Sequence, residues 1–179
     1  YGTGRVNKDE AKAIAAQIEA CIADTAYDGL TFGVVTMMSG PHTQVLQDII
    51  RARIGDEEFE RRRMRVGNPP AFQGDERNVM FVSMVAHDNS FAATSPRYAQ
   101  WANVAASRAQ DQLWVFYSMD PSTLNHEDQR RALIEYALGA GRREDNHDLF
   151  ARTESKFEYD VLKQMLSRGY DVEPQYKVG

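Results

Sequence analysis

The bulk composition predicts a globular, mildly acidic domain with a short appendage. Of the 179 residues, 42% are hydrophobic, so the chain can build a core and is not disordered throughout. The formal net charge of −5 excludes a surface coated with basic residues, so any contact with nucleic acid must be local. The single cysteine, Cys21, excludes an internal disulfide, and no segment is apolar enough for a membrane span or a signal peptide. We therefore expect a cytoplasmic protein with no membrane partner.

Hydrophobic periodicity and turn residues divide residues 1–140 into alternating helices and strands. Such alternation predicts an α/β domain with a mostly parallel sheet. Asn125 is the predicted N-cap of the last helix in this region. In chain order, we predict a helix over 9–23, a strand over 30–37, helices over 43–54 and 56–63, strands over 64–67 and 79–85, a helix over 97–109, a strand over 112–117 and a helix over 126–138.

The C-terminal part of the sequence is predicted to form a linker and the beginning of another unit. Residues 141–153 are polar and of mixed charge, which is typical of a linker. Residues 154–179 carry a helical apolar stripe that includes Phe157 and Val161, followed by a predicted strand over 170–178. Because the chain has no initiator methionine and stops within that strand, we expect it to be a fragment of a larger protein.

Two polar segments each precede an apolar predicted strand. The first, residues 72–77, reads FQGDER, and the second, residues 103–109, reads NVAASRA. We expect both to lie at strand ends, where open α/β sheets place their ligand sites.

The side chains of the two segments suit a phosphate-bearing ligand. Arg108 has a planar guanidinium that can form paired hydrogen bonds to phosphate oxygens. Gln73 offers a donor and an acceptor, and Gly74 allows a ligand to approach the backbone. Glu76 can accept from a ribose hydroxyl or a water. Simpler explanations stay open: Arg108 in a surface ion pair, and residues 73–76 as a polar turn before a core strand.

Together, the two segments resemble motifs V and VI of the superfamily 1 helicases, which lie in the second RecA-like domain of that family. The resemblance extends over residues 7–136 and implies a RecA-like three-layer fold. It implies that Arg108 is an arginine finger that reaches the γ-phosphate of ATP. It also implies that Gln73, Gly74 and Glu76 contact the nucleotide.

The resemblance further implies a nucleic-acid partner and a partner domain. Thr36, at the end of a strand similar to the one near motif IV, is a candidate contact to a phosphate of single-stranded nucleic acid. The sequence has no Gly-x-x-x-x-Gly-Lys-Ser/Thr loop, so ATP and Mg²⁺ would bind only in a full-length parent whose upstream RecA-like domain carries that loop. We expect the chain alone neither to bind ATP tightly nor to hydrolyse it.

A second resemblance concerns the C-terminal end. Residues 155–179 resemble the start of a Vsr-like nuclease domain of the PD-(D/E)XK type, which favours DNA over RNA as the partner. Glu158 alone cannot hold a metal ion, and the strand carboxylates of such a domain would follow Gly179, so we predict no metal site. A further alternative makes the nuclease the main activity of the parent, with the helicase domain delivering DNA to it.

A non-catalytic α/β interaction domain is the alternative from a different class. Geometry distinguishes the two, because the helicase interpretation requires Gln73, Glu76 and Arg108 to converge on one edge of the sheet.

The histidines lack the spacing of metal ligands or of a catalytic base, so we predict that they are solvated or cap helices. They are His42, His87, His126 and His147.

Overall fold

The computed structural model describes residues 6–38, 40–85 and 92–140, together with Val161 and Gln164. By its contacts the chain divides into two compact units, Tyr1–Ala137 and Leu138–Gly179. The described helices and strands follow the predicted order. They are α1 (Lys8–Ala23), β1 (Phe32–Thr36), α2 (Pro41–Ile54), α3 (Asp56–Arg61), β2 (Arg65–Gly67), β3 (Arg77–Ser83), α4 (Pro96–Ser107), β4 (Ala109–Phe116) and α5 (Gln129–Ala140).

The predictions for the C-terminal end fall almost wholly outside the described residues. This concerns the linker over 141–153, the strand over 170–178 and the nuclease-like segment over 155–179, where only Val161 and Gln164, both helical, are described.

The four described strands form one sheet in the order β2-β1-β3-β4, and every neighbouring pair is parallel. Helices cover both faces, as a parallel sheet requires. On one face, α1, α2 and α3 pack in a core cluster that includes Ile14, Leu46 and Phe81. On the other face, α4 and α5 pack in a second cluster that includes Trp101 and Ile134. The predicted α/β class and the three-layer RecA-like fold are therefore confirmed.

Gly33 in β1 determines how the polar segment 72–77 sits against the sheet. A Cβ atom at this position would lie 2.5 Å from the Met80 sulfur and 2.9 Å from the Phe72 ring. The Phe72 side chain is fully buried, so the ring packs directly on the space that glycine leaves free. The polar segment is thus anchored by its first residue.

Several helix boundaries differ from the sequence prediction, and two of the differences bear on the polar segments and the last helix. The helix predicted to reach residue 109 ends at Ser107, and β4 begins at Ala109, so Arg108 alone joins α4 to β4. The strand begins this early because the Arg77 backbone N–H donates to the Arg108 carbonyl at 3.0 Å, extending the ladder.

Asn125 as the N-cap of the last helix is wrong. That helix, α5, begins at Gln129, because the Asp128 carboxylate accepts from the backbone N–H of Arg130 at 2.9 Å and caps the helix there. Asn125 instead accepts from the Glu127 N–H at 2.9 Å, in a turn before the helix.

Candidate functional site

The two polar segments meet at the amino ends of β3 and β4. Arg77, the first residue of β3, pairs with Ala109, the first residue of β4. One extra residue then bulges from β4, since Val79 pairs with Gln112. The rule that places ligand sites in open α/β sheets concerns carboxyl ends, so it lends no support here. The support must come from the side chains that this edge brings together.

Glu76 and Arg108 converge at this edge. The Arg108 Nη1 atom lies 3.8 Å from the Glu76 Oε1 atom, and Gln110 Nε2 donates to Glu76 Oε2 at 3.2 Å. Arg108 Nε and Nη2 also donate to the Ser107 hydroxyl at 3.3 and 3.2 Å. An ion pair as exposed as this one contributes about 0–1 kcal/mol, so Arg108 can exchange Glu76 for a ligand at little cost.

Gln73 and Gly74 lie in the turn that leads to Glu76, with both residues exposed. The Gln73 N–H donates to the Pro70 carbonyl at 3.3 Å, closing the short 3₁₀ turn Pro69–Phe72. Gly74 has a φ of +77°, in the left-handed region that favours glycine, and no atom lies within 4 Å of a Cβ built there. Backbone conformation therefore requires this glycine, and the space in front of it is open.

Asp75 is fixed by two arginines that flank β1. Its Oδ2 atom accepts from Arg65 Nη1 of β2 at 2.6 Å, and its Oδ1 atom accepts from Arg77 Nη1 of β3. The guanidinium of Arg77, and then that of Arg65, holds the pKa of Asp75 below its ordinary value. No sequence pattern singles out this carboxylate, because Arg65 approaches it only when β2 and β3 lie on either side of β1.

Thr36 lies at the opposite, carboxyl edge of the sheet, where it pairs with Ser83 of β3. Its side chain is buried, and its hydroxyl donates to the Met38 carbonyl and lies 3.2 Å from the Thr43 hydroxyl. The structure therefore does not bring Thr36 together with Glu76 and Arg108.

A buried polar chain at the carboxyl edge was missed in the sequence. His42 Nε2 lies 2.9 Å from the Ser83 hydroxyl, which donates to the carboxylate of Glu10. The Asn7 N–H donates to His42 Nδ1 at 3.3 Å, so a neutral His42 carries its proton on Nε2 and donates it to Ser83. Glu10 also accepts from the N–H of Val85 at 3.0 Å.

Burial shifts the pKa values of Glu10 and His42 in opposite directions. It raises the pKa of Glu10, against the opposing effect of the bonds from Ser83 and Val85, and it lowers the pKa of His42. The prediction of a solvated or capping histidine is thus wrong for His42. Helical spacing was the available signal, because His42 stands four residues before the buried Leu46 and Glu10 four before the buried Ile14.

A family model described as an AAA domain (AAA_12) matches residues 2–120, which is more than half of the chain. The chain belongs to this family. The match includes both polar segments and all four described strands, and it supports a helicase-type RecA-like domain. As a class, helicase-like domains use ATP with Mg²⁺ and interact with nucleic acid. The nuclease-like segment lies outside the match, and no curated protein matched the chain.

Residues 6–38, 40–85 and 92–140 contain no group of three or more His, Cys, Asp or Glu side chains that could hold a metal ion. No helix in these same ranges is long and apolar enough to cross a membrane.

Proposed function

We propose that this AAA-family chain is the second RecA-like domain of an ATP-dependent helicase that moves along single-stranded nucleic acid, DNA more than RNA. The observation that carries the proposal is the convergence of Arg108 and Glu76 at one edge of the sheet, 3.8 Å apart. A non-catalytic interaction domain would not require the two motif segments to meet in this way. Their meeting favours the helicase over that alternative.

Arg108 is the proposed arginine finger. It stands at the single-residue junction of α4 and β4, so its backbone is held by a helix on one side and a sheet on the other. Its side chain keeps 24% of its surface exposed, and its partners are the exposed Glu76 carboxylate and the neutral Ser107 hydroxyl. A guanidinium so placed can turn to a γ-phosphate and stabilise the charge that develops during phosphoryl transfer.

Gln73, Gly74 and Glu76 are the proposed contacts to the rest of the nucleotide. The open space before Gly74 leaves its backbone accessible, and the exposed Gln73 amide can both donate and accept. Glu76 would accept from a ribose hydroxyl, or from a water near the γ-phosphate, once Arg108 has released it.

These residues fit one side of a phosphate site and do not fit the metal. Arg108 suits phosphate oxygens, whereas the described residues offer no cluster of carboxylates for Mg²⁺. Mg²⁺ bound with ATP would neutralise phosphate charge. We therefore assign the metal and the phosphate loop to an upstream RecA-like domain of the full-length protein.

Thr36 is the proposed contact to a phosphate of the single strand. Its support is its position at the carboxyl edge of β1, at the start of the turn to α2. Since its hydroxyl is already bonded to Met38 and Thr43, such a contact requires the hydroxyl to change partner. Residues 141–153 as a linker and 154–179 as the start of a nuclease domain complete the proposed organisation.

The test replaces Arg108 by alanine in the full-length protein that contains this chain. Loss of an arginine finger lowers ATP turnover on the order of 10³-fold, and we expect a loss of that size with unchanged thermal unfolding. Arg53→Ala is the matched control, because Arg53 is an exposed arginine of α2 that pairs with Glu19 at 2.7 Å. Near-normal turnover of the Arg108→Ala protein, or ATP hydrolysis by the purified chain alone, would contradict the proposal.

A further inference from the structure

We propose that Asp75 is a positioning residue, which holds the loop of Gln73, Gly74 and Glu76 in its working shape before any nucleotide arrives. It does so through Arg65 and Arg77, and we call these three residues the Asp75 bracket. The inference rests on the proposed function, because that loop is the proposed nucleotide contact. It concerns a residue that touches neither phosphate nor ribose in that proposal.

The bracket spans a strand. In the sheet order β2-β1-β3-β4, Arg65 belongs to β2 and Arg77 to β3, so the two arginines approach Asp75 from either side of β1. Gly33 of β1 pairs with Arg65, and a Cβ atom on Gly33 would lie 3.1 Å from Arg77 Cγ. The missing side chain at position 33 thus leaves the room in which the bracket closes.

Each oxygen of the Asp75 carboxylate is held by a different cation. Arg65 Nη1 donates to Oδ2 at 2.6 Å, and Arg77 Nη1 donates to Oδ1. The Asp75 side chain is 28% exposed and that of Arg77 only 14%. Isolated surface pairs hold little, but several charges in one partly buried network can fix a geometry.

Arg77 also ties the loop backbone. Its Nε atom donates to the Arg63 carbonyl at 2.9 Å, and its Nη1 atom donates to the Glu76 carbonyl at 2.8 Å. The Asp75 N–H donates to the Phe72 carbonyl at 3.1 Å, which closes the turn around Gly74. The loop is therefore fixed by side-chain and backbone bonds on both sides of Glu76.

The bracket also determines which of the three arginines at this edge is available to bind phosphate. Arg65 and Arg77 share the single negative charge of the Asp75 carboxylate, whereas Arg108 has only a longer contact to the Glu76 carboxylate and bonds to the neutral Ser107 hydroxyl. An incoming phosphate should therefore engage Arg108 and leave the other two in place. Without the Asp75 charge, all three would compete for the phosphate, and binding would no longer imply a productive geometry.

The test compares Asp75→Asn with Asp56→Asn in the full-length protein. Asp56 is an exposed acid that pairs with Arg51 at 2.5 Å, so the control removes a similar charge pair elsewhere. For Asp75→Asn we expect kcat for ATP to fall roughly 10- to 100-fold, as for a misplaced contact, while KM does not rise, because the freed arginines still attract phosphate. Asp75→Glu should recover part of kcat, and Asp56→Asn should leave both constants unchanged.

Amide hydrogen exchange of residues 73–76 without nucleotide gives a readout that does not depend on helicase activity. We expect faster exchange there in Asp75→Asn and unchanged exchange in β1 and β3. Unchanged loop exchange in Asp75→Asn overturns the bracket, and so does an unchanged kcat when Arg108→Ala does lower turnover. If Arg108→Ala keeps its turnover while Asp75→Asn loosens the loop, the proposed function fails and the bracket's mechanical role stands. If Asp75→Asn does not fold, Arg65→Gln removes one side of the bracket and is expected to loosen the same loop, and an unaltered loop in that variant overturns the proposal.

Discussion

Gly33→Ala should destabilise the domain, although it adds only one methyl group to a strand. The new Cβ would lie 2.5 Å from the Met80 sulfur and 2.9 Å from the Phe72 ring, where ordinary contacts begin at 3.4 Å. The Met80 side chain can bend away, but the Phe72 ring must retreat by about 0.5 Å. Both side chains are fully buried, so neither can move into solvent. Overpacking of this kind costs about 1–3 kcal/mol.

Urea unfolding, followed by circular dichroism, measures this cost. In a thermal scan of the same proteins, a loss of about 2 kcal/mol should lower the melting temperature by about 4–8 °C for a domain of this size. Gly139→Ala is the matched control, because a Cβ there meets no atom within 4 Å and alanine favours the α5 helix by up to about 1 kcal/mol. The two glycines should therefore respond with opposite signs. A Gly33→Ala protein as stable as the wild type would refute the close packing of Phe72 on β1.

Two other predictions concern buried polar groups. Burial lowers the pKa of His42 from 6.5, so the folded chain binds fewer protons there than the unfolded chain, and stability falls as the pH drops from about 6.5 towards the folded pKa. His42→Gln should remove this pH dependence, which urea unfolding at several pH values would measure. An equal loss of stability in the wild type and in His42→Gln as the pH drops would contradict the prediction. Asp128→Ala should cost about 3–5 kcal/mol, because it removes one partner of the buried ion pair between Asp128 and Arg130, whose side chains are 0% and 1% exposed. The exposed cap Asp120→Ala should cost much less, and equal losses in the two variants would speak against a buried ion pair.

The order of helices and strands was predictable because each element carries its own periodic signal. The boundary near Arg108 was not, because it depends on the long-range bond from the Arg77 N–H to the Arg108 carbonyl. The boundary near Asp128 was not, because Asn125 and Asp128 are both suitable N-cap residues and only the structure shows that Asp128 caps the helix. Alanine is the best helix former and is depleted in strands, so the identity of Ala109 favours the helix that the sequence predicted. The pairing with Arg77 places it in the strand instead.

The candidate site was predictable in part. The motif resemblance selected Glu76 and Arg108, which the fold does bring together. It gave no information on which edge of the sheet they occupy, since that depends on strand direction and order. The bond between Arg65 and Asp75 was not predictable for the same reason. Arg65 belongs to β2 and Asp75 to the loop before β3, and the strand order β2-β1-β3 is what brings them within bonding distance.

The junction of α4 and β4 leaves no room for a change in chain length. One residue, Arg108, separates the last residue of the helix from the first residue of the strand. An inserted or deleted residue there would either move β4 by one position against β3, which turns its side chains to the opposite faces, or rotate α4 away from the second core cluster. We therefore expect related chains to keep the length of the connection that carries this arginine.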